Sequence, residues 1–134
     1  MQLDDIERGS TGSRSLASLR VFVVEDESLV AMQLEDILGD LGCNLVGLAM
    51  RLNRALEMLE GISEIDVAIL DVNLGGEKVY PVAEALRSRG VPVIFATGYG
   101  RGGVMPEWQA RPVLQKPYTD QQVARTLEEA VSQA

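Results

Sequence analysis

The chain has 134 residues, 46% hydrophobic and 24% charged, the proportions of one soluble globular domain long enough to bury a core. Its 12 basic residues are scattered among 20 acidic ones for a net charge of −8, no stretch approaches the roughly 20 apolar residues that span a bilayer, and no signal-peptide pattern opens the chain. A cytoplasmic protein without nucleic-acid or membrane partners is therefore expected, and with one cysteine (Cys43) and no histidine it excludes internal disulfides, cysteine zinc sites, Ser-His-Asp triads and an imidazole phosphodonor of its own.

Residues 1–18 carry Gly9-Ser10-Thr11-Gly12-Ser13 and mixed charges without a steady period, and read as a flexible tail before a domain spanning 19–134; a short transient helix from Leu3 is compatible with this. Val21-Phe22-Val23-Val24 is an unbroken apolar run, suited to a strand buried on both faces. Ser28–Leu41 places Leu29, Val30, Leu34, Ile37, Leu38 and Leu41 at helical spacing, with Gly42 set to close the helix. Asn44–Met50 is a weaker strand, and Arg51–Glu60 a second helix through Leu52, Ala55, Leu56 and Leu59. Val67-Ala68-Ile69-Leu70 forms a third strand, followed by a loop at Asn73-Leu74-Gly75-Gly76.

Tyr80–Arg89 predicts a third helix, with Pro81 in its first turn and Gly90 at its end. Val91–Ala96 gives the fourth strand. Gly98-Tyr99-Gly100-Arg101-Gly102-Gly103 is a poor helix start, so a loop is expected there, with at most a short helix near Pro106–Gln109. A short strand at Pro112–Gln115 and a last helix from Asp120 to about Ser132, capped by Thr119, complete the chain. Five strands alternating with helices predict an α/β fold: a doubly wound five-stranded parallel sheet with a reduced or irregular fourth helix.

Right-handed crossovers put every strand's C-terminal end on one edge, where such sheets bind ligands. Four runs end there on Glu25-Asp26, Asp71, Thr97 and Lys116. Three carboxylates in one crevice would repel each other and raise one another's pKa unless a hard cation such as Mg²⁺ sat among them. A carboxylate beside Mg²⁺ can attack phosphorus, with Lys116 and Thr97 suited to phosphoryl oxygens. Singly, each of these residues has a plainer reading: a solvated loop for Glu25-Asp26-Glu27, a surface lysine before a turn proline, a strand-end threonine. Their joint placement favours the site.

Val23-Val24-Glu25-Asp26-Glu27, Ile69-Leu70-Asp71, Ala96-Thr97 and Lys116-Pro117 resemble, in order and spacing over residues 18–133, the receiver domain of two-component response regulators, whose fold is flavodoxin-like (βα)5. The resemblance implies Asp71 as phosphoacceptor, Asp26 and Asp71 as side-chain ligands of Mg²⁺, Glu25 acting on the ion through water, and the backbone carbonyl of Asn73 as a further ligand. Thr97 would bind the phosphoryl group and Lys116 pair with it. The phosphoryl group would come in trans, from a histidine kinase or a histidine phosphotransfer protein. The chain departs from the family at Gly75, where proline is usual, and at Val113, where the aromatic partner of the switch threonine is usual.

Phe95-Ala96-Thr97-Gly98-Tyr99-Gly100 is similar to a Phe-Ala-Thr-Gly-Tyr subgroup of single-domain receivers, found in alphaproteobacteria, some acting in general stress signalling with HWE-type or related kinases. In that light Thr97 and Tyr99 form the switch; an ordinary exposed loop tyrosine is the plainer reading of Tyr99. The functional expectation is a phospho-accepting signalling protein rather than an enzyme, acting by phosphorylation-dependent binding of a downstream protein or by phosphorelay. Two alternatives stay open on the residues. One is a Mg²⁺-dependent aspartyl-phosphate phosphatase or phosphotransferase, disfavoured by Asn73 where such enzymes carry a second aspartate. The other is a degenerate receiver used only for docking.

Overall fold

The computed structural model describes residues 16–133. The chain runs β1 (Arg20–Val24), α1 (Ser28–Asp40), β2 (Asn44–Ala49), α2 (Leu52–Gly61), β3 (Val67–Asp71), β4 (Asn73–Leu74), β5 (Glu77–Lys78), α3 (Tyr80–Ser88), β6 (Val93–Thr97), β7 (Val113–Gln115) and α4 (Asp120–Gln133). Five strands pair in parallel in the order β2-β1-β3-β6-β7. The chain steps outward to β2 and then returns past β1 to β3, so the strand order reverses between β1 and β3. Their C-terminal ends open the crevice there.

Alternate side chains of each strand feed opposite faces of the sheet. Phe22, Val24, Ala68, Leu70, Val93 and Phe95 pack with Ala55 and Leu59 of α2 and Val82, Ala83 and Leu86 of α3. Val21, Val23, Val67, Ile69, Ile94 and Ala96 pack with Leu34, Ile37 and Leu38 of α1 and Val123 and Leu127 of α4. Covering both faces explains why β3 and β6 are buried at every position.

The punctuation follows local chemistry. Gly42 takes φ +83° after α1, its N–H donating to the carbonyl of Gly39 while Cys43 N–H donates to that of Leu38, a Schellman close. Thr119 Oγ1 accepts the Gln122 N–H at 3.2 Å and Gln122 Oε1 accepts the Thr119 N–H at 2.8 Å, a reciprocal capping box for α4. Where a loop was expected after β3, β4 and β5 form a small antiparallel hairpin, turned by Gly75 and Gly76 at φ +61° and +97°. Each strand is only two residues long, too short to leave a period in the sequence. The segment 98–110 holds no α-helix, as its glycines predicted; two 3₁₀ turns, Gly100–Gly103 and Pro106–Trp108, take its place.

The expected tail lies outside the described residues up to position 15. Residues 16–18, assigned to that tail, are tied to the body: Ser18 N–H donates to the Gly42 carbonyl at 2.6 Å, and the Leu16 carbonyl accepts from Leu19 N–H and the Cys43 thiol.

Gly47 of β2 sits opposite Phe22 where a Cβ would come 2.9 Å from Ile62 Cδ1 and 3.0 Å from the Phe22 ring. Overpacking of this kind costs about 1–3 kcal/mol. Gly47→Ala is therefore expected to lower the unfolding free energy by that amount, seen as a lower urea midpoint at unchanged slope; an unchanged midpoint would mean the Phe22 ring yields freely.

Candidate functional site

Four strand ends supply the site. β1 delivers Glu25 and Asp26, β3 Asp71, β6 Thr97, and the chain leaving β7 delivers Lys116. Parallel register sets them level: Val24 pairs Leu70, Asp71 pairs Ala96, and Thr97 pairs Gln115. One carboxylate oxygen from each of Glu25, Asp26 and Asp71 lies within 4.8 Å of the others. The structure thus brings together Glu25, Asp26, Asp71 and Lys116, with Thr97 and Asn73 lining the same cleft.

Lys116 Nζ sits 2.9 Å from Glu25 Oε1 and 3.0 Å from Asp71 Oδ2, with Glu27 Oε1 at 3.8 Å. Glu25 is 2% exposed and Asp71 6%. Burial pushes the Glu25 carboxyl up to about 7; neighbouring Asp71 adds to this, while Lys116 and the Glu27 N–H oppose it. Burial works against the Lys116 charge, yet the two carboxylates beside it hold its pKa above the ordinary lysine value. Asp71 Oδ1 accepts the Asn73 N–H at 3.1 Å, and Asp26 Oδ2 accepts the Gly75 N–H at 3.0 Å. The hairpin turn therefore fixes an acidic side chain of the loop after β1, a contact that a proline at position 75 could not make, for want of an N–H. The Asn73 side chain is turned to Lys78 Nζ, 2.8 Å away.

An all-oxygen donor set with a surplus of negative charge fits a hard divalent cation such as Mg²⁺. Lys116 pairs with Glu25 and Asp71 of the three, and among the described residues no second cation is paired with the cluster, so it is under-compensated as it stands.

Thr97, 5% exposed, accepts the Tyr99 N–H on Oγ1 at 3.1 Å. The backbone of Gly103 presses on it so closely that a Cβ there would stand 2.5 Å from Oγ1. Tyr99 itself is 79% exposed and lines the open side of the cleft with Asp26, Asp71, Thr97 and Lys116.

Three groups escaped the sequence reading. The Tyr80 hydroxyl accepts the Met105 N–H at 2.9 Å, and the Tyr80 ring lies 5.8 Å from Phe95, which meets Trp108 edge-on at 5.5 Å. Arg87 caps the column 4.3 Å above the Trp108 ring. This stack fills the side of β6 behind Thr97, toward which the half-buried Val113 offers no ring of its own. Gly103 is the second, and Tyr118, buried and lining a cleft with Lys116, the third.

The family model for the response regulator receiver domain matches residues 21–128. The chain belongs to this family. Among solved structures, the receiver is similar to SdrG from Sphingomonas melonis Fr1, at 45% identity and TM-score 0.76 over 90% of this chain and 100% of that one. A BeF3-activated conformation of SdrG matches at 47% identity and TM-score 0.74, over 86% and 98% of the two chains. Phyllosphere-induced regulator PhyR of Methylorubrum extorquens is 28% identical over 117 residues, 83% of the receiver; the receiver spans 43% of that regulator's length. Among the described residues, no helix is long and apolar enough to cross a membrane.

Proposed function

We propose that this receiver accepts a phosphoryl group on Asp71 from the phosphohistidine of a histidine kinase or histidine phosphotransfer protein, in a Mg²⁺-dependent step. The observation that carries the reading is the Lys116 ammonium held between Glu25 Oε1 and Asp71 Oδ2 beside the free edge of the acidic cluster. Asp71 Oδ2 would attack phosphorus, a P–O bond forming as the P–N bond to imidazole breaks, and the leaving nitrogen keeps the electron pair. Lys116 would follow the negative charge from the carboxylate to the phosphoryl oxygens, and Thr97 would offer its hydroxyl to another. Asp26 and Asp71, Glu25 through water, and the Asn73 carbonyl are the groups that would hold the ion. Mg²⁺ there would neutralise phosphoryl oxygens as charge gathers on them.

The test is transfer in trans. A histidine kinase carrying labelled phosphohistidine should lose label to this chain in Mg²⁺ and keep it in EDTA. Label retained on every kinase tried, or transferred equally in EDTA, would overturn the reading.

The Phe95–Gly100 stretch and Val113 support placing the chain in the Phe-Ala-Thr-Gly-Tyr subgroup, and with it in stress signalling through HWE-type or related kinases and a downstream protein partner. In this reading Thr97 and Tyr99 work through the 98–110 segment. Moving the Thr97 hydroxyl toward a phosphoryl group must break its bond to the Tyr99 N–H and relieve the contact with Gly103. On adding beryllofluoride and Mg²⁺, amide shifts are expected to concentrate in residues 98–110 and to shrink in Tyr80→Phe, which unpins Met105. Large shifts confined to α4 would count against this route.

A further inference from the structure

Among the described residues, the Tyr118 hydroxyl is the buried side-chain polar atom without a hydrogen-bond partner. The residue is 4% exposed, and its ring belongs to the cluster of Leu34, Val123 and Leu127 between α1 and α4. Phenylalanine would fill that volume equally well, with no polar group to strip of water. A phenol whose hydroxyl is unpaired in one state is explained if a second state pairs it.

The second state follows from where charge moves. Glu25 is almost wholly buried, and its donors are Lys116 Nζ on Oε1 and the Glu27 N–H on Oε2 at 3.1 Å, with the Asp71 carboxyl also against it. Converting Asp71 to an acyl phosphate removes the carboxylate charge that Lys116 shares with Glu25 and places negative charge farther out. Lys116 is drawn after it, and above about pH 7, where Glu25 is ionised, the carboxylate is left buried without its cation, which is strongly unfavourable unless a donor replaces it. Tyr118 lies two residues beyond Lys116, and both line a cleft with Glu27. Its phenol pKa is pushed up to about 12, by burial first and then by Glu25 more than by any other charged group, so the hydroxyl keeps its proton at any working pH.

We infer that Tyr118 is a positioning residue of the phosphorylated state: its hydroxyl donates to the Glu25 carboxylate once Lys116 turns to the phosphoryl group. The inference rests on Asp71 as the phosphoacceptor. The hydroxyl then acts as a second cation-side partner held in reserve. It keeps Glu25 ionised and oriented, and it lets Lys116 move without stranding a buried charge.

The experiment compares Tyr118→Phe with the parent in two backgrounds. Without Mg²⁺ or phosphoryl mimic, the melting temperature of Tyr118→Phe should equal or exceed the parent's, since no bond is lost. With Mg²⁺, its beryllofluoride affinity should fall roughly tenfold, the worth of a hydrogen bond to a charged group. In a Lys116→Met background, where Glu25 has permanently lost its ammonium, adding Tyr118→Phe should lower the melting temperature further. Equal beryllofluoride affinities, or a lower melting temperature for Tyr118→Phe in the parent background, would overturn the inference; the latter would mean that the hydroxyl is already paired. If the parent bound no beryllofluoride in an Asp71-dependent way, the phosphoacceptor reading would fall, while the Lys116→Met pair of melts would still decide Tyr118 separately.

Discussion

Asp71→Asn is expected to abolish the labile adduct that acetyl phosphate and Mg²⁺ place on this chain, seen as a single phosphoryl increment by intact mass. The effect should be complete rather than partial, because the carboxamide is not a nucleophile toward phosphorus and no neighbour can substitute. Glu25 is buried behind Lys116, and Asp26 is turned to the Gly75 N–H. The fold should survive the change. An asparagine carbonyl can still accept the Asn73 N–H that Oδ1 accepts now, and Lys116 retains Glu25. Removing one charge from an under-compensated cluster should leave the apo protein at least as stable as the parent at neutral pH. A mass adduct of equal size on Asp71→Asn would remove Asp71 from its role. Steady Mg²⁺-dependent turnover of small phosphate esters by the parent would instead favour an enzyme.

How far the sequence alone reached can be argued from individual residues. Val67-Ala68-Ile69-Leu70 and Val93-Ile94-Phe95-Ala96 are runs that only a doubly covered parallel strand uses well, and they proved to be fully buried neighbours in the sheet. Chemistry-bearing residues at strand ends are legible because parallel topology turns order along the chain into position along one edge. The Glu25–Lys116 pair was not legible. The two are 91 positions apart by their residue numbers, and whether a glutamate faces its lysine or the solvent depends on one rotamer and on what buries it. The Tyr80–Phe95–Trp108 column was hidden for a related reason: the three rings stand in a predicted helix start, a strand and a loop, and their joint meaning comes from the Tyr80 hydroxyl reaching the Met105 backbone. The glycines at 98–103 announced a broken helix, yet only their packing reveals that Gly103 presses on the Thr97 hydroxyl.

In EDTA, stability is expected to fall as pH rises from about 5 to about 8, and Mg²⁺ should reverse much of that loss. The sign follows from Glu25. Burial raises its carboxyl from the ordinary 4.5 to about 7, so the folded state holds its proton where the unfolded chain releases it. The stabilisation is present in full below the unfolded pKa and is lost as pH climbs through the folded one, a swing on the order of 3 kcal/mol. Lys116, raised above 10.5, stays charged throughout this window and contributes no slope to it. A cation beside Glu25, Asp26 and Asp71 favours their ionised forms, so its stabilisation should be larger at pH 8 than at pH 5. Glu25→Gln should flatten the EDTA profile, since the amide carries the same shape without a proton to lose. Thermal melts at the two pH values, with and without Mg²⁺, decide the matter; a melting temperature in EDTA that holds steady or rises between them would refute it. The expected pattern has a chemical logic. A site that gathered enough cationic side chains to silence three carboxylates would already have filled the place where the phosphoryl group and its metal must sit. The repulsion left in the resting fold is what makes the cluster receptive to both.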